Sequence, residues 1–355
     1  MHIPDGYLSP TSCATLFAGS SPFWWFALKR VRQSLNSRMV PLVSVCAAFC
    51  FVIMMFNIPL PGGTSGHVVG MGVTAAVLGP WASILAVSVA LLIQAVFFGD
   101  GGITAFGANS FNMAIVGSLI SYGVYRVLSG ASEPTSRRRI IAASAAGYLG
   151  INIAALLAGI EFGLQPLLFH DGANAPLYAP YPLRIAVPAM MLGHLTFAGL
   201  AEAIVSGGVI AWLQHSHVAL LKPAIPTGNI APVVEWGFTR PFWIGLAALM
   251  IATPLGLLAA GTAWGEWGAA DFKNPGARHE IAAASLNVMP PEEAPVGMQR
   301  LSAFWTAPLP DYAPPFLKSP QIGYVLSAML GVGLVILATV ALERIVRTTP
   351  KEEDL

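Results

Sequence analysis

From Met39 to Gly99 the chain runs for 61 residues without a single Lys, Arg, Asp or Glu. A segment of that kind has little choice of fold. In lipid every backbone N–H and C=O must be paired within the chain, which leaves helices as the natural solution. One crossing takes about 20 residues, so the run has room for about three. Breaks must fall inside it, and Asn57-Ile58-Pro59-Leu60-Pro61-Gly62-Gly63-Thr64-Ser65-Gly66 reads as one loop, Gly79-Pro80 as a second. The helix between them has only about a dozen residues, too short for a straight crossing, which predicts that part of it is packed inside protein. The whole chain agrees with its most constrained part: 55% of residues are hydrophobic and 10% charged, against about 25% charged in an ordinary soluble domain. These features predict an all-α, polytopic membrane bundle with about seven helices in its core and two more beyond it. With 18 Lys and Arg against 17 Asp and Glu there is no basic field of the kind that binds nucleic acid.

The remaining spans follow the same logic. A first apolar segment covers residues 11 to 28, the fifth 107 to 125, the sixth 140 to 160 and the seventh 185 to 213. From Gln214 to Arg240 the chain turns polar and proline-rich, which reads as a cytoplasmic linker. A second unit, 241–355, places two further spans at 241 to 262 and 321 to 342 around a mostly polar loop, 263–320. That loop carries Trp264, Trp267 and a mild excess of acid. The domain reading is therefore 1–213, a linker at 214–240, and 241–355. Cys13, Cys46 and Cys50 are odd in number and sit in apolar runs, so they read as small core hydrophobes.

Orientation follows from the basic residues near the span ends. With the N-terminus outside, Lys29, Arg30, Arg32, Arg38, Arg126, Arg137, Arg138, Arg139, Lys222, Arg240, Arg344, Arg347 and Lys351 fall on the inner side, 13 of the 18. The opposite arrangement leaves 5 inside. The start of the chain lacks the basic and compact apolar regions of a cleaved signal, and histidine in second place is not small enough to favour removal of the initiator, so Met1 is expected to stay.

That expectation matters because Met1-His2 is a potential chelate. The terminal amine and the His2 amide nitrogen close a five-membered ring on one ion, and the amide with His2 Nδ1 closes a six-membered one. Three nitrogens are forced towards one plane, a Ni(II) or Cu(II) preference, and His67, in a loop rich in glycine, is the candidate for the fourth. Asn109 and Asn112, three apart at the start of the fifth span, share one face; interhelical hydrogen bonding is the favoured reading, a supporting contact or loop clamp beside a metal site the other. His194 and Glu202 lie in the seventh span, where ionisable groups are functional candidates by default. Eight helical positions turn about 80°, so the two are placed to line one cavity without standing above each other.

The opening MHIPDGYLSP, the later GGTSGHVVG and the still later FGANSFNMAIVG together resemble the substrate-capture component of energy-coupling-factor transporters for cobalt and nickel, the CbiM/NikM family. The resemblance covers roughly residues 1 to 215 and implies that Met1, His2 and His67 hold the ion. It further implies a membrane scaffold (T) subunit and a pair of cytoplasmic ATPases as partners, surrounding lipid, a place in the cell's inner membrane, and a capture subunit that tips to release its ion inward. No resident cofactor is implied, only Ni(II) or Co(II) as cargo. The two-helix second unit is similar in architecture to the small accessory subunit of these systems, here fused.

The energy source lies elsewhere. None of the five lysines follows a glycine, so there is no GxxxxGK[ST] phosphate loop, and with neither HExxH nor GxSxG the chain is not expected to be an enzyme. The rival to a capture subunit is a proton-coupled secondary transporter using His194 and Glu202 as its relay. Ala14 and Ala18, a small-xxx-small pair in the first segment, are a possible docking point for a partner helix.

Overall fold

The computed structural model describes residues 1–34, 39–216, 218–221, 236–259 and 261–348. It is a helical bundle with almost no sheet, as expected. Helix α1 (Pro10–Ser34) starts at an N-cap built by Ser9, whose Oγ accepts from the Ser12 amide at 3.1 Å, with Pro10 in the first turn where its missing N–H costs nothing. Helix α2 (Met39–Met54) follows. Then come α4 (Pro80–Phe98), α5 (Phe106–Ser129), α6 (Arg137–Leu168) and α7 (Leu183–Ser216), each long and apolar enough to cross a membrane. Three of these four contain a stretch of π-helix: Gln94–Phe98, Ser110–Gly117 and His194–Ala198.

The proline- and glycine-rich stretch between α2 and the next helix is not a plain loop. It forms a hairpin of β1 (Asn57–Leu60) and β2 (Thr64–His67), antiparallel, with Asn57 opposite His67 and Leu60 opposite Thr64. Helix α3 (Met71–Leu78) is even shorter than the sequence suggests, eight residues, and Met71 to Ala75 are all buried. It is a half-helix inside the bundle. Gly70 enters it at φ 80°, a conformation that glycine adopts freely.

In the second unit, α8 (Trp236–Ala252) and α11 (Pro320–Thr348) pack on the core through α2. Ser44 Oγ lies 2.6 Å from Thr339 Oγ1, and a side chain added at Gly331 would run into the Phe51 ring. The segment expected to be a polar loop is a folded cap with two short helices, α9 (Pro275–Ala284) and α10 (Val296–Leu301). Trp264 and Trp267 are buried in it, edge to face at 5.5 Å, with Trp264 also against Phe162 and Tyr181. Aromatic contacts of this kind add about 0.5–1.5 kcal/mol each beyond area burial.

One end of the bundle gathers the N-terminus, the hairpin, the turn after α4 and the cap. The other gathers Arg126 in the last turn of α5 with Arg137, Arg138 and Arg139 opening α6, and Arg139 Nη1 donates to the Leu221 carbonyl at 3.3 Å. Arg38, Lys222, Lys351, Leu355 and residues 222–235 of the expected linker lie outside the described residues. The three cysteines are free and buried.

Candidate metal centre

Residues 1 to 9 do not hang from the bundle; they are threaded into it. Asn109, near the start of α5, grips Ile3 from both sides: its Oδ1 accepts from the Ile3 amide at 2.8 Å and its Nδ2 donates to the Ile3 carbonyl at 3.0 Å. The Gly102 amide donates to that same carbonyl at 2.8 Å. Asp5 accepts from the amides of Ile103 (3.2 Å) and Thr104 (2.8 Å) and from the Thr104 hydroxyl. Any side chain on Gly102 would collide with the backbone of Pro4 and Asp5, so the close approach requires glycine there. Further along, Tyr7 donates to the Trp267 carbonyl at 2.8 Å, and the Ser9 amide donates to Gln165 Oε1 at 2.9 Å.

This threading buries the first two residues and sets them against the end of β2. Met1, His2 and His67 are 2%, 1% and 5% exposed, and the two imidazole centroids stand 4.7 Å apart, tilted by 43°. The terminal ammonium pairs with Glu266 Oε1 at 3.3 Å. His2 Nδ1 contacts Asp100 Oδ1, and the other oxygen of Asp100 accepts from the Tyr312 hydroxyl at 2.6 Å and from Gln94 Nε2 at 3.3 Å. Both carboxylates that hold the N-terminal nitrogens are thus tied to the second unit, Glu266 by belonging to it and Asp100 through Tyr312.

The protonation pattern is legible from the partners. A carboxylate and a carbonyl only accept, so Nδ1 of His2 donates to Asp100 and Nδ1 of His67 to the Val68 carbonyl at 3.2 Å. Nε2 of each ring is buried without a hydrogen-bond partner. Burial pushes the His67 imidazole well below its ordinary pKa, and the fields of His2 and the terminal amine push the same way, so His67 stays neutral. Burial works to raise the Asp100 carboxyl, but the field and hydrogen bond of His2, then His67 and Tyr312, outweigh it and hold Asp100 below the usual carboxylate range.

Among the described residues no three His, Cys, Asp or Glu side chains converge as a metal-holding group. A site built here must draw on main-chain nitrogen, as the amine and amide of Met1-His2 allow. The chelate read from the sequence uses His2 Nδ1, the atom that contacts Asp100 here.

The structure sorts two other expectations. Asn109 and Asn112 do not act together: Asn109 is the clamp on the N-terminal loop, while Asn112 Nδ2 donates across to Glu161 on α6 at 2.8 Å. Nor do His194 and Glu202 line one cavity. Glu202 Oε2 accepts from the amides of Val69 (2.8 Å) and Gly70 (3.0 Å), and its Oε1 from Gly72 (3.3 Å) and Ser206 Oγ (3.4 Å). It caps the start of α3, directly behind His67, and is fully committed there. His194 lies elsewhere, its Nδ1 on the Met190 carbonyl at 2.8 Å. Reasoning from sequence missed Glu266 and Tyr312 as neighbours of the site. Asp100 carried a visible signal, since it is the first charge after the long uncharged run and stands between two glycines.

The fold and site define a multi-pass helical membrane protein whose buried N-terminus meets a histidine from an internal hairpin. Residues 2–220 match the model for the cobalt uptake substrate-specific transmembrane region, CbiM, and residues 240–348 match the PDGLE domain. The chain belongs to the CbiM family. It is 56% identical to the fused nickel transport protein NikMN of Rhodobacter capsulatus, with 95% of each chain covered. It is 41% identical to the probable fused nickel transport protein LarMN of Lactiplantibacillus plantarum, with 94% of each covered. A crystal structure of a truncated transition metal transporter, 49% identical, superposes with a TM-score of 0.57 and covers 61% of this chain and 100% of its own. Membership places the chain among membrane transport proteins and not among enzymes.

Proposed function

We propose that this chain is the ion-capture subunit of an ATP-driven importer for Ni(II) or Co(II), and that the Met1 amine, the His2 amide, the His2 ring and the His67 ring hold the ion. The observation that carries the reading is the meeting of a buried chain terminus with two neutral-capable imidazoles, each with an unpartnered buried nitrogen. A set of four nitrogens drawn into one plane suits Ni(II) and disfavours Mg(II) and Ca(II), which want oxygen, and Zn(II), which prefers a tetrahedron. The names of the fused relatives favour nickel as the first cargo to try.

Loading exchanges partners. The amine leaves Glu266, His2 leaves Asp100, and protons depart as the ion arrives. Glu202 keeps the His67 hairpin in place throughout by holding the backbone at Val69 to Gly72, which is a supporting role and not the proton relay of a secondary transporter. Energy then comes from partners, a membrane T component and cytoplasmic ATPases, since the chain has no phosphate loop of its own. The N-terminus, hairpin and cap face outward and the arginine-rich end faces the cytoplasm of a cell bounded by this inner membrane, as the distribution of basic charge favours. The core at 1–213 captures the ion and the unit at 241–355 covers it, with 214–240 as the cytoplasmic linker.

The test is one of register. Inserting a residue between Met1 and His2 keeps every side chain but enlarges the first chelate ring, and N-terminal acetylation removes the amine as a donor. Both are expected to abolish tight Ni(II) binding, while the unaltered protein gives a planar, diamagnetic Ni(II) complex. Tight binding retained in either altered protein rules the chelate out.

A further inference from the structure

The chelating residues are buried, so an ion needs a way in. Two cavities flank the N-terminal segment. One, of about 170 Å³, is lined by Asp5, Tyr7, Glu266, Trp267, Met298 and Trp305. Its two carboxylates are already taken, Asp5 by Ile103 and Thr104 and Glu266 by the amine, and no imidazole faces it. The other, of about 80 Å³, is lined by Met1, Gly62, Ser65 and Leu286, with His194 and Trp264 also on its wall. That volume has room for several waters, so an ion can pass along it with part of its hydration shell.

His194 is built like a ligand. Its Nδ1 donates to the Met190 carbonyl at 2.8 Å, which fixes the tautomer and leaves Nε2 as a bare lone pair. The residue is 3% exposed and Nε2 has no hydrogen-bond partner, an arrangement costly for a buried polar atom unless something uses it. The side chain stands at the first position of the π-helix His194–Ala198, and π-turns are enriched at functional sites because they re-aim the side chains around them. Imidazole suits Ni and Co as a ligand. Yet His194 does not join His2 and His67 in a common cluster.

We propose that His194 Nε2 is a transient ligand for an incoming Ni(II) or Co(II) ion, a waystation beside the cavity that reaches Met1, which passes the ion to the N-terminal chelate and takes no part in the final site. The inference rests on the chelate reading above. A waystation of this kind lowers the barrier in both directions. It speeds loading and release equally and leaves the equilibrium untouched.

The experiment uses the full chain in nanodiscs and Ni(II) alone as the probe. Stopped-flow absorbance follows formation of the planar complex, and a chelator chase follows release. His194→Ala and His194→Gln are expected to slow both rates by about tenfold or more while the dissociation constant and the final spectrum stay as in wild type. Unchanged rates overturn the proposal. So does a weakened affinity with faster release, which makes His194 a ligand of the bound ion. Should the His194 variants lose their fold, Ala283→Trp, which narrows the same cavity at its exposed rim, provides the independent arm: it is expected to slow both rates with His194 intact, and normal rates there overturn this route. Failure of the chelate itself shows separately, as tight binding that survives the residue inserted between Met1 and His2.

Discussion

The two units of this chain contribute to the same site in opposite ways. The core supplies every nitrogen proposed to bind the ion, from Met1, His2 and His67. The second unit supplies none, yet it reaches the site at two points: Glu266 holds the terminal amine, and Tyr312 holds the carboxylate that holds His2. A solved relative, 49% identical, covers 61% of this chain and all of its own length. The difference separates composing a site from keeping it shut. Groups proposed to compose it come from the chain start and one internal hairpin and include main-chain nitrogens, while the groups around them reach across 265 and 212 residues and act through side chains only.

If the division is right, substitutions in the core are drastic and those in the cap are mild. The largest effect is expected from His2→Ala and His67→Ala, each of which removes one nitrogen from a four-nitrogen set; isothermal titration should show Ni(II) affinity reduced by about a thousandfold or more, on the scale of tenfold per 1.4 kcal/mol. Retention of affinity within tenfold in His67→Ala breaks the comparison at once, because the core then does not compose the site. The next effect is expected at Glu202→Ala. It strips the buried amides of Val69, Gly70 and Gly72 of their acceptor, at about 1–3 kcal/mol for each unsatisfied group. The hairpin carrying His67 should loosen, lowering the melting temperature of the metal-free chain by many degrees and weakening Ni(II) binding with it. Glu202→Gln, which keeps one acceptor oxygen, should recover part of both. A Glu202→Gln protein that melts normally but has lost uptake restores the proton-relay reading.

Much of this was legible in the sequence, and the failures share causes. The uncharged run dictated spans and a buried half-helix, and the chemistry of an amine beside an amide beside an imidazole pointed to Met1 and His2 without any knowledge of packing. His67 was a candidate from its glycine-rich loop, and its choice as a ligand rested on the family resemblance. The two readings of Asn109 and Asn112 divide between them, the interhelical bond going to Asn112 and the loop clamp to Asn109, whereas the pairing of His194 with Glu202 in one cavity failed because it was drawn on an ideal 100° helix. A π-helix starts at Ser110, between the first pair, and another spans His194–Ala198, inside the second. An extra residue per turn rotates everything beyond it, so Asn112 swings to Glu161 and Glu202 to the start of α3. The hairpin was hidden because its strands are four residues each and contain or adjoin Pro59 and Pro61, which read as turn signals. Glu266 and Tyr312 leave no local trace, since a single contact across 200 residues has no periodicity to read.

The smallest effects are expected in the cap, and they sharpen the comparison most. Tyr312→Phe removes one of the donors to Asp100 Oδ2 and leaves Gln94 in place. A hydrogen bond to a charged group contributes about 1.5–3 kcal/mol, so calorimetry should find the metal-free chain a few degrees less stable. Ni(II) affinity should hold or rise slightly, because Asp100 competes with the ion for His2. Glu266→Gln works on the other nitrogen. Its carboxylate is 21% exposed and 3.3 Å from the amine, the setting of a pair worth about 1 kcal/mol or less. That bounds the change in affinity at about fivefold. The sign is informative within the bound. A rise says that the carboxylate is purely a competitor which must be displaced; no change says that the coordinated amine keeps an N–H on Glu266 and the pair survives loading. Because the two carboxylates hold different nitrogens, the double variant should be additive in titration. A loss beyond a hundredfold in either single variant makes the cap part of the site and ends the division of labour between the two units.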